Sequence, residues 1–202
     1  MDGRLFATGC LLVPGCAALA VTLPATYPTL AVVGLVGVAL AAAAVLDDAA
    51  AAVTDATPRT ARRRMLGQAP LALGALAVWI GTGALLELRD HEWPFLFAAA
   101  IGFAVVTASF GFAAAARRAG IAQPGEAVGT AVGAVVLAAL LAAPSVRGVS
   151  PFFPEPAALW WWLPVFVGGS GALVVGTRDR VSAMRSGVAN PVGHRHPAVG
   201  RS

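Results

Sequence analysis

The chain has 202 residues, 58% of them hydrophobic and only 12% charged, with a mean hydropathy of +0.77. A soluble domain carries about 25% charged residues, so the composition excludes an ordinary soluble protein and reads as an all-α integral membrane protein. The formal charge of +4 comes from fourteen arginines with no lysine, in short clusters between apolar runs. That pattern excludes a continuous nucleic-acid-binding face, and it excludes a P-loop ATPase, whose lysine must reach the phosphates.

The first apolar run covers residues 5–23. About 20 helical residues at ~1.5 Å each cross a hydrocarbon core of ~30 Å, so it is long enough to span. A cleaved signal is the rival reading, since Arg4 precedes the run and Leu12-Val13-Pro14-Gly15-Cys16 faintly resembles a lipoprotein cleavage site, although proline two residues before the cysteine suits that site poorly. Cys10 and Cys16 lie about 120° apart around a helix, which argues against a disulfide between them and makes both small buried apolar residues. A turn with Pro24, Tyr27 and Pro28 leads to a second run, 29–46, and a charged stretch, 46–68, follows it. The third run, 70–86, ends in an acidic loop with an interfacial Trp93. The fourth, 95–116, closes on Arg117-Arg118, and the fifth spans 127–143.

Residues 144–156 contain four prolines around Phe152-Phe153. Interior proline breaks a helix, so this segment reads as a pair of short interfacial or re-entrant helices or as an extracytoplasmic loop. The sixth run, 157–176, opens on the aromatic belt Trp160-Trp161-Trp162. Residues 1–185 thus form a single six-helix transmembrane domain, and 186–202, rich in Gly, Pro, Arg and His, form a disordered tail. With both termini cytoplasmic, twelve arginines fall inside and only Arg89 and Arg147 outside, the positive-inside pattern. The 46–68 stretch is then cytoplasmic, and the loops around Arg89 and Arg147 are external.

No ionisable residue sits in the middle of a run, which disfavours a proton relay or an ion-coupled carrier. The hydroxyls available there, Thr22, Thr82, Thr107, Ser109, Thr130 and Ser170, read as helix-to-helix or back-bonding groups. His194 and His196 have no Cys or carboxylate near them in sequence, so no metal site is expected, and His91 reads as a surface histidine. Gly34, Gly37, Gly81, Gly83 and Gly168 to Gly171 permit close helix packing. Gly129-x-x-x-Gly133 serves either an oligomer contact or packing within the chain.

The 46–68 stretch holds three of the ten acidic residues and four of the fourteen arginines. Thr57-Pro58 reads as a helix start and Gly67 as a stop. The expectation is a short helix over 58–66 lying on the cytoplasmic surface, with Arg62, Arg63 and Arg64 reaching lipid phosphates or an acidic protein. The bland alternative is a positive-inside anchor. Asp47 and Asp48 either clamp that helix through arginine pairs or end the second span.

Leu46-Asp47-Asp48, Thr54-Asp55-Ala56-Thr57-Pro58 and Arg62-Arg63-Arg64, placed between the second and third of six spans, resemble the signature of small actinobacterial ABC transporter permeases, a branch of the ABC-2-type exporter membrane subunits. The resemblance is densest over 46–66. It implies that Asp47, Asp48, Thr57, Pro58, Arg59, Arg62, Arg63 and Arg64 couple to a separate ATPase subunit that carries the ATP and Mg, with no cofactor in this chain. It implies a second permease copy or a homologous permease, a bacterial cytoplasmic membrane, and an external gate or re-entrant segment at Phe152, Phe153, Trp160 and Trp161. Two features depart from the pattern: Ala49 stands where proline is expected, and only four residues precede the first run, where the family carries an amphipathic interface helix. The rival from another class is a non-transporting scaffold or regulatory subunit of a membrane complex.

Overall fold

A computed structural model describes residues 3–23, 27–47, 61–88, 95–121, 123–142 and 159–177. All the regular structure in these residues is helical: α1 (Gly3–Thr22), α2 (Tyr27–Ala44), α3 (Ala61–Glu87), α4 (Phe95–Arg118), α5 (Pro124–Ala142) and α6 (Leu159–Thr177). Each helix falls on one of the six apolar runs. Arg4–Thr22, Met65–Glu87 and Phe95–Arg118 are long and apolar enough to cross a membrane, and Thr29–Ala44 and Trp162–Thr177 are shorter apolar helices.

The helices alternate in direction. The start of α1 meets the end of α2, where Gly9 lies against Gly37 and Ala41. The end of α2 meets the start of α5 through Asp47 and Gly125, and α4 and α6 run parallel, with Gly111 against Gly169 and Ala114 against Gly176. Two helices carry the interior. α2 touches α1, α3, α4 and α5, while α4 touches α2, α3, α5 and α6. The most extensive contacts are within the pairs α1 with α2 and α4 with α6.

Small residues set the spacing of both pairs. A Cβ added to Gly9 would stand 2.8 Å from the Ala41 nitrogen, and one added to Gly169 would stand 2.7 Å from the Ala108 nitrogen. Backbones this close leave room for no larger residue, which is how helices gain van der Waals contact where lipid offers no hydrophobic drive. Around these contacts the end of α2 is sealed: Ala41 to Leu46 are each no more than 1% exposed. Nearer the other end of the bundle, a cavity of about 30 Å³ lies between α1, α2, α3 and α4, against Val13, Cys16, Gly34, Trp79, Thr82 and Leu86.

One expectation is corrected. Residues 61–66 are not a separate surface helix stopped by Gly67; they are the first turns of α3, which runs without a break through Gly67 and Pro70 to Glu87. Gly67 ends a helix only by taking a left-handed conformation, and among the described residues the glycine with positive φ is Gly120 instead. Pro70 removes one backbone donor, but it lies on an exposed face near the helix start, and internal prolines also stand in α1 (Pro14) and α6 (Pro164). Asp48, Thr57, Pro58, Arg59, Phe152 and Phe153 lie outside the described residues, as do His91, His194 and His196.

Candidate functional site

The polar contacts of the bundle gather where α2 ends, α3 begins, α4 ends and α5 begins. The last turn of α2 tightens: the Leu46 amide donates to the Ala43 carbonyl and the Asp47 amide to the Ala44 carbonyl, both at 3.1 Å and three residues back. This turn carries Asp47 off the helix axis toward α5.

There the Asp47 carboxylate closes the helix start. Oδ1 accepts from the Gly125 amide at 2.7 Å, and Oδ2 accepts from the Glu126 amide at 3.0 Å. The local sequence explains why another helix supplies the cap. Gln123 occupies the N-cap position, its carbonyl accepting from the Ala127 amide at 3.2 Å, but Gln is not among the short side chains that cap their own second and third amides. Pro124 has no amide to satisfy and is suited to the first helical position. The two remaining donors, on Gly125 and Glu126, are therefore met by Asp47. The carboxylate is only 7% exposed. Its desolvation is offset by two charge-assisted hydrogen bonds and by the positive end of the α5 dipole.

Gly125 is required for this approach. A Cβ there would collide with the Asp47 carboxylate and stand 2.7 Å from the Ala43 carbonyl oxygen. Gly129, one turn on, lies against the Leu40 side chain, so this member of the Gly129-x-x-x-Gly133 pair serves packing within the chain.

Arg117 and Arg118 fasten the neighbouring ends. The Arg117 guanidinium donates to the Leu46 carbonyl at 3.3 Å, satisfying an acceptor left over at the end of α2. The Arg118 guanidinium donates to the Val175 carbonyl at 2.7 Å, near the end of α6. Both arginines reach sideways because α4 stops cleanly after them. Gly120 takes a φ of 94°, its amide bonds the Arg117 carbonyl at 3.0 Å, and the Ile121 amide bonds the Ala116 carbonyl at 3.1 Å, the paired bonds of a Schellman motif.

Of the residues expected to couple to an ATPase, the structure places Asp47 inside this junction, where it meets α5 amides rather than arginine. Arg62, Arg63 and Arg64 lie in the first two turns of α3, and Arg63 is exposed. Trp160 and Trp161 lie in the first turn of α6, at the opposite end of the bundle, with Trp160 74% exposed. Sequence reasoning missed Arg117, Gly125 and the Glu126 amide. The signal for them is a helix that opens Gln-Pro-Gly-Glu and therefore lacks a cap of its own.

The hydroxyls on the helices divide. Thr22 back-bonds to the Leu19 carbonyl at 2.9 Å as expected, whereas Ser109, 1% exposed, has no hydrogen-bond partner for its Oγ. Trp79 is the buried polar group that the sequence did not single out: its indole N–H donates to the Ala98 carbonyl at 2.8 Å, joining α3 to α4. Among the described residues, no group of three or more His, Cys, Asp or Glu comes together as a metal site would need. Comparison of the chain with family models, with curated proteins and with solved structures finds no match in any of the three.

Proposed function

We propose that the chain is the membrane-spanning permease subunit of an ABC-type exporter, with six spans, both termini cytoplasmic, in a bacterial cytoplasmic membrane. A separate ATPase subunit docks on residues 46–68 and supplies ATP hydrolysis. The reading rests on the resemblance of that stretch to the permease signature and on one structural observation: the signature is split between anchor and handle. Leu46 and Asp47 are buried and hold the bundle together, while Arg63 of the same signature stands exposed on the first turns of α3. A push on Arg63 is therefore delivered directly to α3.

In this reading Arg62, Arg63 and Arg64 meet an acidic surface of the ATPase, an electrostatic complementarity that sets partner choice and rate of encounter. A second permease copy or a homologous permease completes the transport path. The test is to replace Arg62, Arg63 and Arg64 with Glu and to co-purify the variant with the cognate ATPase. Association and stimulation of ATP hydrolysis are both expected to be lost; undiminished association and stimulation overturn the reading. A chain that assembles stably with a membrane enzyme but with no ATPase supports the scaffold alternative instead.

A further inference from the structure

We propose that the cavity between α1, α2, α3 and α4 is a binding site for the end of a lipid acyl chain, which enters between α1 and α3 and lies against the Trp79 ring. The deep wall of the cavity is closed and largely apolar. Val13, Cys16, Ala20, Trp79 and Ala98 are buried there, and Gly34 lets the ring approach α2, since a Cβ at Gly34 would stand 3.2 Å from it. The Trp79 N–H is given to the Ala98 carbonyl at 2.8 Å, so the indole is held in one position and its donor is already engaged. Among the described lining residues, Thr82 carries the one hydroxyl. A water in such a place needs two to four polar partners, so the walls suit an apolar occupant better.

The opposite side is not closed. Ala17 of α1 and Thr82, Gly83 and Leu86 of α3 line the cavity but are only half-buried, and Leu19 of α1 and Leu85 of α3, near them in sequence, are exposed. Both helices are long and apolar enough to cross a membrane, where exposed leucine meets lipid tails as apolar as itself. Size and depth then say which part of a lipid fits. A cavity of about 30 Å³ has room for one or two methylene-sized groups, against ~300–1,000 Å³ for a drug-sized ligand. Trp79 lies eight residues before α3 ends at the exposed Glu87, which is about 12 Å at ~1.5 Å per residue. With Glu87 at the membrane surface and half of a ~30 Å hydrocarbon core measuring ~15 Å, the ring stands at the depth where the chains of that leaflet end.

The site stands on this geometry without the permease reading, and its test needs no ATPase. The full chain is reconstituted in bilayers with Trp93, Trp160, Trp161 and Trp162 changed to Phe, which leaves Trp79 as the one tryptophan of the original five. Bromine on a lipid chain quenches indole fluorescence at contact, and heavy atoms touch at about 4–4.5 Å. Trp79 is 7% exposed, so a chain that stays outside the bundle does not reach the ring. Phospholipid with bromine near the methyl end of one chain is expected to lower Trp79 emission about two-fold relative to the unbrominated lipid, and phospholipid brominated near the headgroup is expected to quench much less. A Cβ at Gly83 would meet the Ala98 Cβ at 3.8 Å, an ordinary contact, so a side chain can be placed in the cavity from this position. Gly83→Val is expected to restore the emission, and Gly83→Ala, the smaller step that keeps the test open should the valine variant not fold, to restore part of it. Full emission in every brominated bilayer overturns the proposal, because the cavity then excludes lipid. Quenching that both Gly83 variants leave unchanged overturns it too, because the bromine then reaches the ring by another route. Quenching by acrylamide from the aqueous phase in place of the brominated chains makes the cavity a water-filled one and likewise overturns it.

Discussion

Replacing Gly125 with alanine sets two effects of opposite sign against each other. By intrinsic propensity, Gly→Ala within a helix stabilises by about 1 kcal/mol, less at a first turn. The structure predicts the reverse here, because the added Cβ would stand 2.7 Å from the Ala43 carbonyl oxygen and collide with the Asp47 carboxylate. The carbonyl belongs to a backbone whose neighbours are at most 1% exposed, so it has little room to yield. Overpacking of this kind costs about 1–3 kcal/mol, and partial loss of the Asp47 cap adds about 0.5–2 kcal/mol. The net expectation is about 0.5–4 kcal/mol of destabilisation after a propensity gain of about 1 kcal/mol is subtracted. Gly74, in α3, is the matched control: a Cβ there meets nothing within 4 Å, and Gly74→Ala is expected to gain about 0.5–1 kcal/mol. Both variants can be measured by reversible unfolding in mixed detergent micelles. If Gly125→Ala moves stability in the same direction as Gly74→Ala, the account of the α2 to α5 junction is wrong.

Three further substitutions probe single contacts. Arg117→Ala strands the Leu46 carbonyl and is expected to cost about 1–3 kcal/mol in the same unfolding assay, whereas Arg118→Ala, whose bond to Val175 is exposed, is expected to cost about 0.5 kcal/mol or less. Trp79→Phe leaves the Ala98 carbonyl without the indole donor and removes ring volume beside Gly102; a loss of about 1–3 kcal/mol is expected, with Trp79→Ala costing about 3–5 kcal/mol. Ser109→Ala is expected to leave stability unchanged or raise it by up to about 1 kcal/mol, since the buried hydroxyl has no partner to lose; destabilisation beyond about 0.5 kcal/mol points to a hydrogen bond absent from the described contacts.

The positions of the helices were legible because hydrophobic runs and their punctuation are local properties. Pro24 and Pro28, the acidic loop after Glu87, Gly120 and the prolines of 144–156 each mark a boundary that a reader can locate, and the helices fall between them. The extent of α3 was not legible in the same way. Thr57-Pro58 and Gly67 carry valid start and stop chemistry, but a glycine stops a helix only when the next residues favour leaving it, and here Ala69, Leu71 and Ala72 continue it. The junction was legible only in part. Asp47 stands in the densest charged stretch of the chain, yet its partners lie 78 and 79 residues away in sequence, and a single sequence gives no pairing between α2 and α5. The arginine count took Arg117 and Arg118 as charge at the end of an apolar run, but charge counting cannot tell an arginine in solvent from one that closes a neighbouring helix. The capless opening Gln123-Pro124-Gly125-Glu126 was the available clue, because an unsatisfied helix start requires an acceptor from elsewhere.

The two ends of the bundle are built differently, and the difference bears on where motion is easiest. At the Asp47 end, carboxylate and guanidinium groups tie α2 to α4 and α5 and tie α4 to α6, and the alanines of α2 are sealed. Toward the Trp160 end, the Trp79 indole N–H donates to the Ala98 carbonyl, beside a cavity of about 30 Å³. Packing at apolar surfaces alone is non-directional and tolerates sliding, whereas hydrogen bonds to backbone groups hold one register and are lost as a unit when it changes. The Asp47 end should therefore have few discrete arrangements.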